Sequence, residues 1–174
     1  MIAVDTNLLV YAHRAESPFH ERALASLSAL INGRETWAIP WPCAHEFLAV
    51  VTNRRALRPP SPLEHALGQL GNWLDSPNVV LLQETARHWS VLAEVLRQSG
   101  ALGGLVHDAR IAALCVEHGV RELWTMDRDF ARFPSLITFN PIEDDIVHDH
   151  APAYAAAMRA RAAGRRRALG RGGN

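Results

Sequence analysis

Asp5, Glu46, Asp108 and Asp127 are the side chains of this sequence best suited to chemistry. Asp5 ends the apolar run Ile2-Ala3-Val4 and is followed by Thr6 and Asn7. Glu46 falls on the stripe Cys43/Glu46/Ala49/Val50 of a helical segment, which reads as facing inward. Asp108 opens the stripe Asp108/Ile111/Ala112/Cys115 on a very apolar helix. Asp127 follows the run Leu123-Trp124-Thr125, with Asp129 two residues further on. A carboxylate on the inward side of a helix is costly unless it is paired or holds a cation. An acid at the carboxyl end of a strand points into the crevice where open α/β sheets bind ligands. Acids crowded into such a crevice repel one another, and a cation relieves the repulsion. Mg²⁺ and Mn²⁺ take hard oxygen ligands and keep several waters. Two such ions ~3.5–4 Å apart suit phosphodiester hydrolysis, in which a metal-activated water attacks and the leaving oxygen is stabilised.

Each acid also has a plainer explanation. Asp5 would serve as a helix N-cap directly after a strand. Glu46 and Asp108 sit near helix starts, where acids complement the helix dipole. Asp127 and Asp129 would fit an Asp-rich turn. The four together favour a shared cation site, whereas for Asp129 the turn is the better account.

The elements that must position these acids alternate. Strands are expected at Ile2–Val4, Trp37–Ile39, Val79–Leu82, Leu123–Thr125 and Leu136–Phe139. Helices are expected at Asn7–His13, Pro18–Asn32, Cys43–Asn53, Pro62–Leu74, Thr85–Gln98 and Leu105–His118. Leu24, Leu27, Leu30 and Ile31 mark the apolar face of the second helix, and Gly33 ends it. Ser61 is expected to cap the fourth helix, with Pro62 at its first position. Strands separated by helices imply an α/β fold: a central, mostly parallel sheet of about five strands with helices on both faces.

Length and charge narrow the field. At 174 residues with 48% hydrophobic composition, one folded domain is expected. It should span residues 1–142, followed by a tail over 143–174. No apolar run approaches the ~20 residues of a membrane span. The N-terminus lacks a signal peptide's basic region and cleavage site, so a cytoplasmic protein is expected. Cys43 and Cys115 read as small buried hydrophobes, not as a disulfide.

The net charge is zero, but the charge is segregated. Residues 1–142 hold 12 arginines against 14 acids, and Glu143, Asp144, Asp145 and Asp149 follow. The last 25 residues hold six arginines and no acid, and the chain contains no lysine. Nucleic-acid binding must therefore come from local arginines and a metal. The Ala/Arg-rich tail could be helical or mobile. It either adds nonspecific RNA affinity or is merely solvated. His148-Asp149-His150 within it reads as solvated. His45 and His107 precede key acids but suit ordinary packing. Trp37, Trp41, Trp73, Trp89 and Trp124 suit a core or a dimer contact.

Four segments carry a family resemblance. They are Ala3-Val4-Asp5-Thr6-Asn7-Leu8-Leu9-Val10-Tyr11, Pro40-Trp41-Pro42-Cys43-Ala44-His45-Glu46-Phe47, His107-Asp108-Ala109-Arg110-Ile111-Ala112-Ala113-Leu114 and Glu122-Leu123-Trp124-Thr125-Met126-Asp127-Arg128-Asp129-Phe130. In order and spacing they resemble the PIN-domain endoribonucleases, in particular the VapC-type toxins of toxin–antitoxin pairs. The resemblance covers about residues 1–141. It implies a three-layer α/β/α fold and a Mg²⁺-dependent ribonuclease (Mn²⁺ as an alternative), inhibited by a VapB-like antitoxin and homodimeric. On that basis Asp5 and Asp108 are the most direct metal ligands. Glu46 and Asp127 complete the acidic ring, and Asp129 ranks behind them. Thr6, Asn7 and Thr125 would orient ligands or water.

Arg14, Arg110, Arg128 and Arg132 are candidates for RNA phosphate contact, foremost Arg110 and Arg128, which neighbour the acids and could instead simply pair with them. The loops around Arg14–Pro18 and Arg54–Pro62 would shape the choice of cleavage site. Other readings are a housekeeping PIN nuclease in RNA processing and a non-catalytic module whose acids grip a basic partner. An aspartyl-phosphate phosphatase is disfavoured, because Asn7 stands where a second aspartate is usual and no lysine exists to neutralise the phosphate.

Overall fold

The computed structural model describes residues 1–143. The tail, with its arginines and His148-Asp149-His150, lies outside the described residues. The elements run β1 (Ile2–Val4), α1 (Thr6–His13), α2 (His20–Ile31), β2 (Trp37–Pro40), α3 (Trp41–Val51) and α4 (Leu63–Leu74). Then come β3 (Val79–Leu82), α5 (His88–Ser99), α6 (Leu105–Glu117), β4 (Glu122–Trp124), a 3-10 turn (Arg128–Arg132) and β5 (Thr138–Phe139).

The five strands form one sheet in the order β3-β2-β1-β4-β5, and every pairing is parallel. β1, β2 and β4 are buried at every residue. This explains why their apolar residues follow one another without the alternation of a sheet with one wet face, although β4 opens on a buried acid, Glu122. The order has a consequence for function. From β1 the chain moves out through β2 to β3, then returns to place β4 on the other side of β1. The switch point of the sheet therefore lies between β1 and β4, where open α/β sheets form their binding crevice. Asp5 and Thr125 follow directly on those two strands.

Helix α1 packs against both α2 and α3, α3 packs against α4, and α5 pairs with α6. Phe47 of α3 is fully buried, with its ring edge-on to Trp73 of α4 at 5.2 Å and to His13 of α1 at 5.3 Å. Trp37, Trp73 and Trp124 belong to the core, whereas Trp89 on α5 is 75% exposed. The expected face of α2 is shifted: Ala23, Ser26, Leu27 and Leu30 are buried and Leu24 is exposed. Gly33 does end this helix, at a place where a Cβ would meet the Ala29 carbonyl oxygen at 2.8 Å. Gly100 closes α5 with φ 65°, a left-handed conformation that favours glycine.

Ser61 does not cap α4. Its hydroxyl accepts from Arg14 Nη1 at 2.9 Å and lies 2.9 Å from His13 Nε2, so it is committed to the end of α1. Two other polar centres tie elements together. Asn78 Oδ1 accepts from Trp37 Nε1 and Ser76 Oγ, while its Nδ2 faces the carbonyls of Leu30, Gly33 and Glu35. The Glu117 carboxylate, buried at the end of α6, accepts from Thr85 N, Thr85 Oγ1 and His88 Nδ1. Burial pushes the Glu117 carboxyl up, but these hydrogen bonds outweigh it and hold it below the usual glutamate range.

Candidate active site

Asp5 is the fixed point of the site. Its backbone N–H donates to Trp124 O at 3.0 Å, which ties the end of β1 to β4. Its side chain caps α1, with Oδ1 accepting from Thr6 N at 2.7 Å. The Cys43 thiol points at the same oxygen from 3.8 Å. Oδ2 accepts from Thr125 Oγ1 at 2.7 Å and from Asn7 Nδ2 at 2.7 Å. The plain helix-cap explanation of Asp5 is thus correct as far as it goes. A cap needs one oxygen, however, and here the second is gripped by two further donors from the neighbouring strand end and helix.

Asn7 and Thr125 do more than hold Asp5. Asn7 Nδ2 also donates to Thr125 Oγ1 at 3.0 Å, and Asn7 Oδ1 accepts from Met126 N at 3.3 Å. Thr125 Oγ1 accepts from Asp127 N at 2.9 Å, and Asp127 Oδ1 accepts from Asp129 N at 2.8 Å. The chain leaving β4 is therefore shaped by the same groups that orient Asp5. Thr6 Oγ1 donates to Glu46 Oε2 at 2.7 Å, linking the start of α1 to α3. All three residues expected to orient the acids are thus in hydrogen-bond contact with one.

The acids differ in burial. Asp5 is 5% exposed, Asp108 is half-buried, and Glu46, Asp127 and Asp129 are exposed. The expectation that Glu46 lies on an inward stripe is corrected. The buried positions of α3 are Cys43, Ala44, Phe47 and Val51, so Glu46 stands at the rim and Ala49 is exposed. The α6 stripe is as expected, with Ile111, Ala112 and Cys115 all buried beneath Asp108.

The electrostatics show which acids feel one another's charge. Burial pushes the Asp5 carboxyl from 3.8 up to about 6, against hydrogen bonds from Thr125 and Thr6, with the charges of Glu46 and Asp127 adding to the rise. Asp108 is also raised, first by burial and then by Asp127, Asp129 and Glu46, with His107 opposing. Among the described residues nothing donates a hydrogen bond to the Asp108 carboxylate. Asp129 is partly neutralised by Arg132 Nε at 3.2 Å. Among the described residues no three acidic, histidine or cysteine side chains stand close enough to share one ion. The donor set nevertheless suits a hard divalent cation, since it is all carboxylate oxygen and its members raise one another.

The arginines divide. Arg110 is paired with Glu84, through Nε at 2.9 Å and Nη2 at 2.8 Å. Arg128 is exposed, next to Asp127. Arg14 is 8% exposed, so its expected contact with RNA is corrected: its guanidinium is used inside the protein. Sequence reading missed Glu117 as a structural centre. Its signal was the one that drew attention to Asp108, an acid within a buried helical run.

With the fold and site described, the class is clear. Residues 2–136 match the PIN domain, and the chain belongs to that family. Among its relatives are Ribonuclease VapC33 of Mycobacterium tuberculosis, 34% identical over 83% of this chain and 100% of the relative, and Ribonuclease VapC37 of the same species, 35% identical over 76% and 92%. Similar folds occur in the crystal structure of VapBC2 from Rickettsia felis bound to a promoter DNA fragment (TM-score 0.58, 23% identity, 80% of this chain and 98% of that one). FitAcB from Neisseria gonorrhoeae is likewise similar (TM-score 0.56, 21% identity, 83% and 100%). At these identities the solved structures bear on the fold alone.

Proposed function

We propose that this protein is the toxic component of a toxin–antitoxin pair, an endoribonuclease that hydrolyses RNA phosphodiester bonds with Mg²⁺ or Mn²⁺. Asp5, Glu46, Asp108 and Asp127 are its metal-binding and catalytic residues. Its partners are RNA, a VapB-like antitoxin and a second copy of the chain, and it acts in the cytoplasm. The VapC relatives support the activity, and the antitoxin is carried over from the resemblance to VapC-type toxins. Among the described residues no helix is long and apolar enough to cross a membrane.

The observation that carries the reading is Asp108. It is half-buried, lacks a hydrogen-bond donor among the described residues, and is destabilised by three neighbouring carboxylates. A group in that position gains most from a cation.

The residues of the site divide the work. Thr125 and Asn7 fix Oδ2 of Asp5, Thr6 holds Glu46, and the Thr125 hydroxyl orients the backbone that presents Asp127. When bound, a divalent ion neutralises the acids and the substrate phosphate and acts as a Lewis acid on the reacting oxygens. Asp129, paired with Arg132, contributes field without being a direct ligand.

Sequencing of RNA ends after brief expression of wild type and Asp5→Asn tests the proposal. New ends with wild type and none with a folded Asp5→Asn are expected. A folded and fully active Asp5→Asn would sink the assignment, and an inert wild type in the presence of Mg²⁺ and Mn²⁺ would favour a non-catalytic binding module.

A further inference from the structure

Arg14 follows α1 but does not face solvent. Its Nη1 donates to Ser61 Oγ at 2.9 Å and its Nη2 to Pro59 O at 2.8 Å, and Glu16 completes its pairing. Ser61 N in turn donates to Val51 O at 2.7 Å. At the other end of the same loop, Asn53 O accepts from Ala56 N and Leu57 N, and Asn53 Oδ1 accepts from Arg55 N. A loop between α3 and α4 is thus fastened at both ends, one of them by a buried guanidinium.

That loop carries Arg54, Arg55 and Arg58, all exposed. None has an ion-pair partner among the described residues. Arg97, Arg110, Arg121 and Arg132, by contrast, each pair with an acid. No acid occurs in the sequence between Glu46 and Glu64. One arginine after a helix is commonly explained by the helix dipole. Three exposed ones on a loop held from beneath are not. The loop is joined to the acidic site through α3 itself: Glu46 and Val51 lie five residues apart on this helix, a rise of about 8 Å.

We propose that Arg54, Arg55 and Arg58 form an anchor for the phosphate backbone of the RNA strand, a few nucleotides from the bond cleaved at the acidic site. Arg14 is the positioning residue that holds this anchor in place. The body as a whole has more acids than arginines, and an acidic site repels RNA until a cation is bound, so a separate cationic hold is what the substrate lacks. The inference rests on the ribonuclease reading above.

The test uses the full chain and an oligoribonucleotide that wild type cleaves. Replacing Arg54, Arg55 and Arg58 together by Gln should raise KM roughly tenfold or more and leave kcat within about twofold. The log–log dependence of kcat/KM on salt should flatten by about 2, since each contact to a single strand contributes ~0.7. The corresponding triple Lys variant should retain most of the affinity. Arg14→Met should raise KM in the wild-type background and have little further effect in the triple Gln background. Unchanged KM and salt dependence in a triple variant that still cleaves would overturn the anchor and leave the loop to a protein partner. Equal effects of Arg14→Met in both backgrounds would overturn its positioning role. A wild type that cleaves no RNA would defeat the ribonuclease reading itself, an outcome distinct from these.

Discussion

Asp5→Asn should make the protein more stable and inactive at once. Asp5 is 5% exposed and its carboxyl is raised from 3.8 to about 6, with burial as the main cause. That shift corresponds to about 3 kcal/mol by which the ionised carboxylate disfavours the folded state at neutral pH. The sign follows from proton counts. Between about pH 4 and about pH 6 the unfolded chain has released a proton that the folded chain retains. Stability therefore falls as pH rises through this window and stays low above it. An asparagine removes the ionisation. Its oxygen can still accept from Thr6 N, but its amide nitrogen, standing where Oδ2 was, faces a Thr125 hydroxyl that already accepts from Asn7 Nδ2 and Asp127 N, so the Thr125 and Asn7 contacts at Oδ2 are both lost. Two lost hydrogen bonds cost about 2 kcal/mol, which leaves a net gain of roughly 1 kcal/mol.

For a domain of this size each kcal/mol moves Tm by about 2–4 °C. Thermal melts at pH 8 should thus show Asp5→Asn about 2–4 °C above wild type, with the gap narrowing towards pH 5. Mg²⁺ should raise the Tm of wild type at pH 8 by mass action and leave the variant unmoved. A variant less stable than wild type at pH 8, or a gap independent of pH, would refute the desolvation argument. Retained RNA cleavage would refute the functional role.

Thr125→Val removes the hydrogen bond that lowers the Asp5 carboxyl most, so the acid limb of the pH–rate profile should move to higher pH; an unmoved limb contradicts the assignment. Glu117→Gln should destabilise by roughly 1–3 kcal/mol at pH 7, read by urea unfolding, because Thr85 and His88 lose their carboxylate. The Glu117 carboxyl is held below its ordinary 4.5, so its contribution is present above that value and fades as pH falls through the folded value; the wild-type advantage should vanish in acid. Asp108→Asn should abolish cleavage as Asp5→Asn does. Its side chain forms no hydrogen bond among the described residues, so stability should rise only slightly, and a large loss on calorimetry would mean the carboxylate has a structural role.

What could be read from the sequence, and what could not, follows from how local each cause is. Asp5 was legible because β1, apolar and buried on both faces, ends at it, and Asp127 because it closes the short polar turn after the apolar pair Leu123-Trp124. Parallel pairing was legible because helices separate the strands. The phase of a single helix is a weaker signal. Glu46 shares a stripe with Cys43, but shifting the stripe by one residue to Cys43, Ala44, Phe47 and Val51 fits the same letters and moves Glu46 to the rim.

Ser61 and Arg14 were misread for a different reason. Each has a sound local use, a helix cap and an exposed cation, and each is taken instead by the other, 47 residues away. Because the guanidinium that looked available for RNA is consumed inside the fold, substrate phosphate must be held by arginines whose charge is not. The structure leaves Arg54, Arg55 and Arg58 exposed on the loop that Arg14 fastens, so the correction of one residue is what identifies the other three.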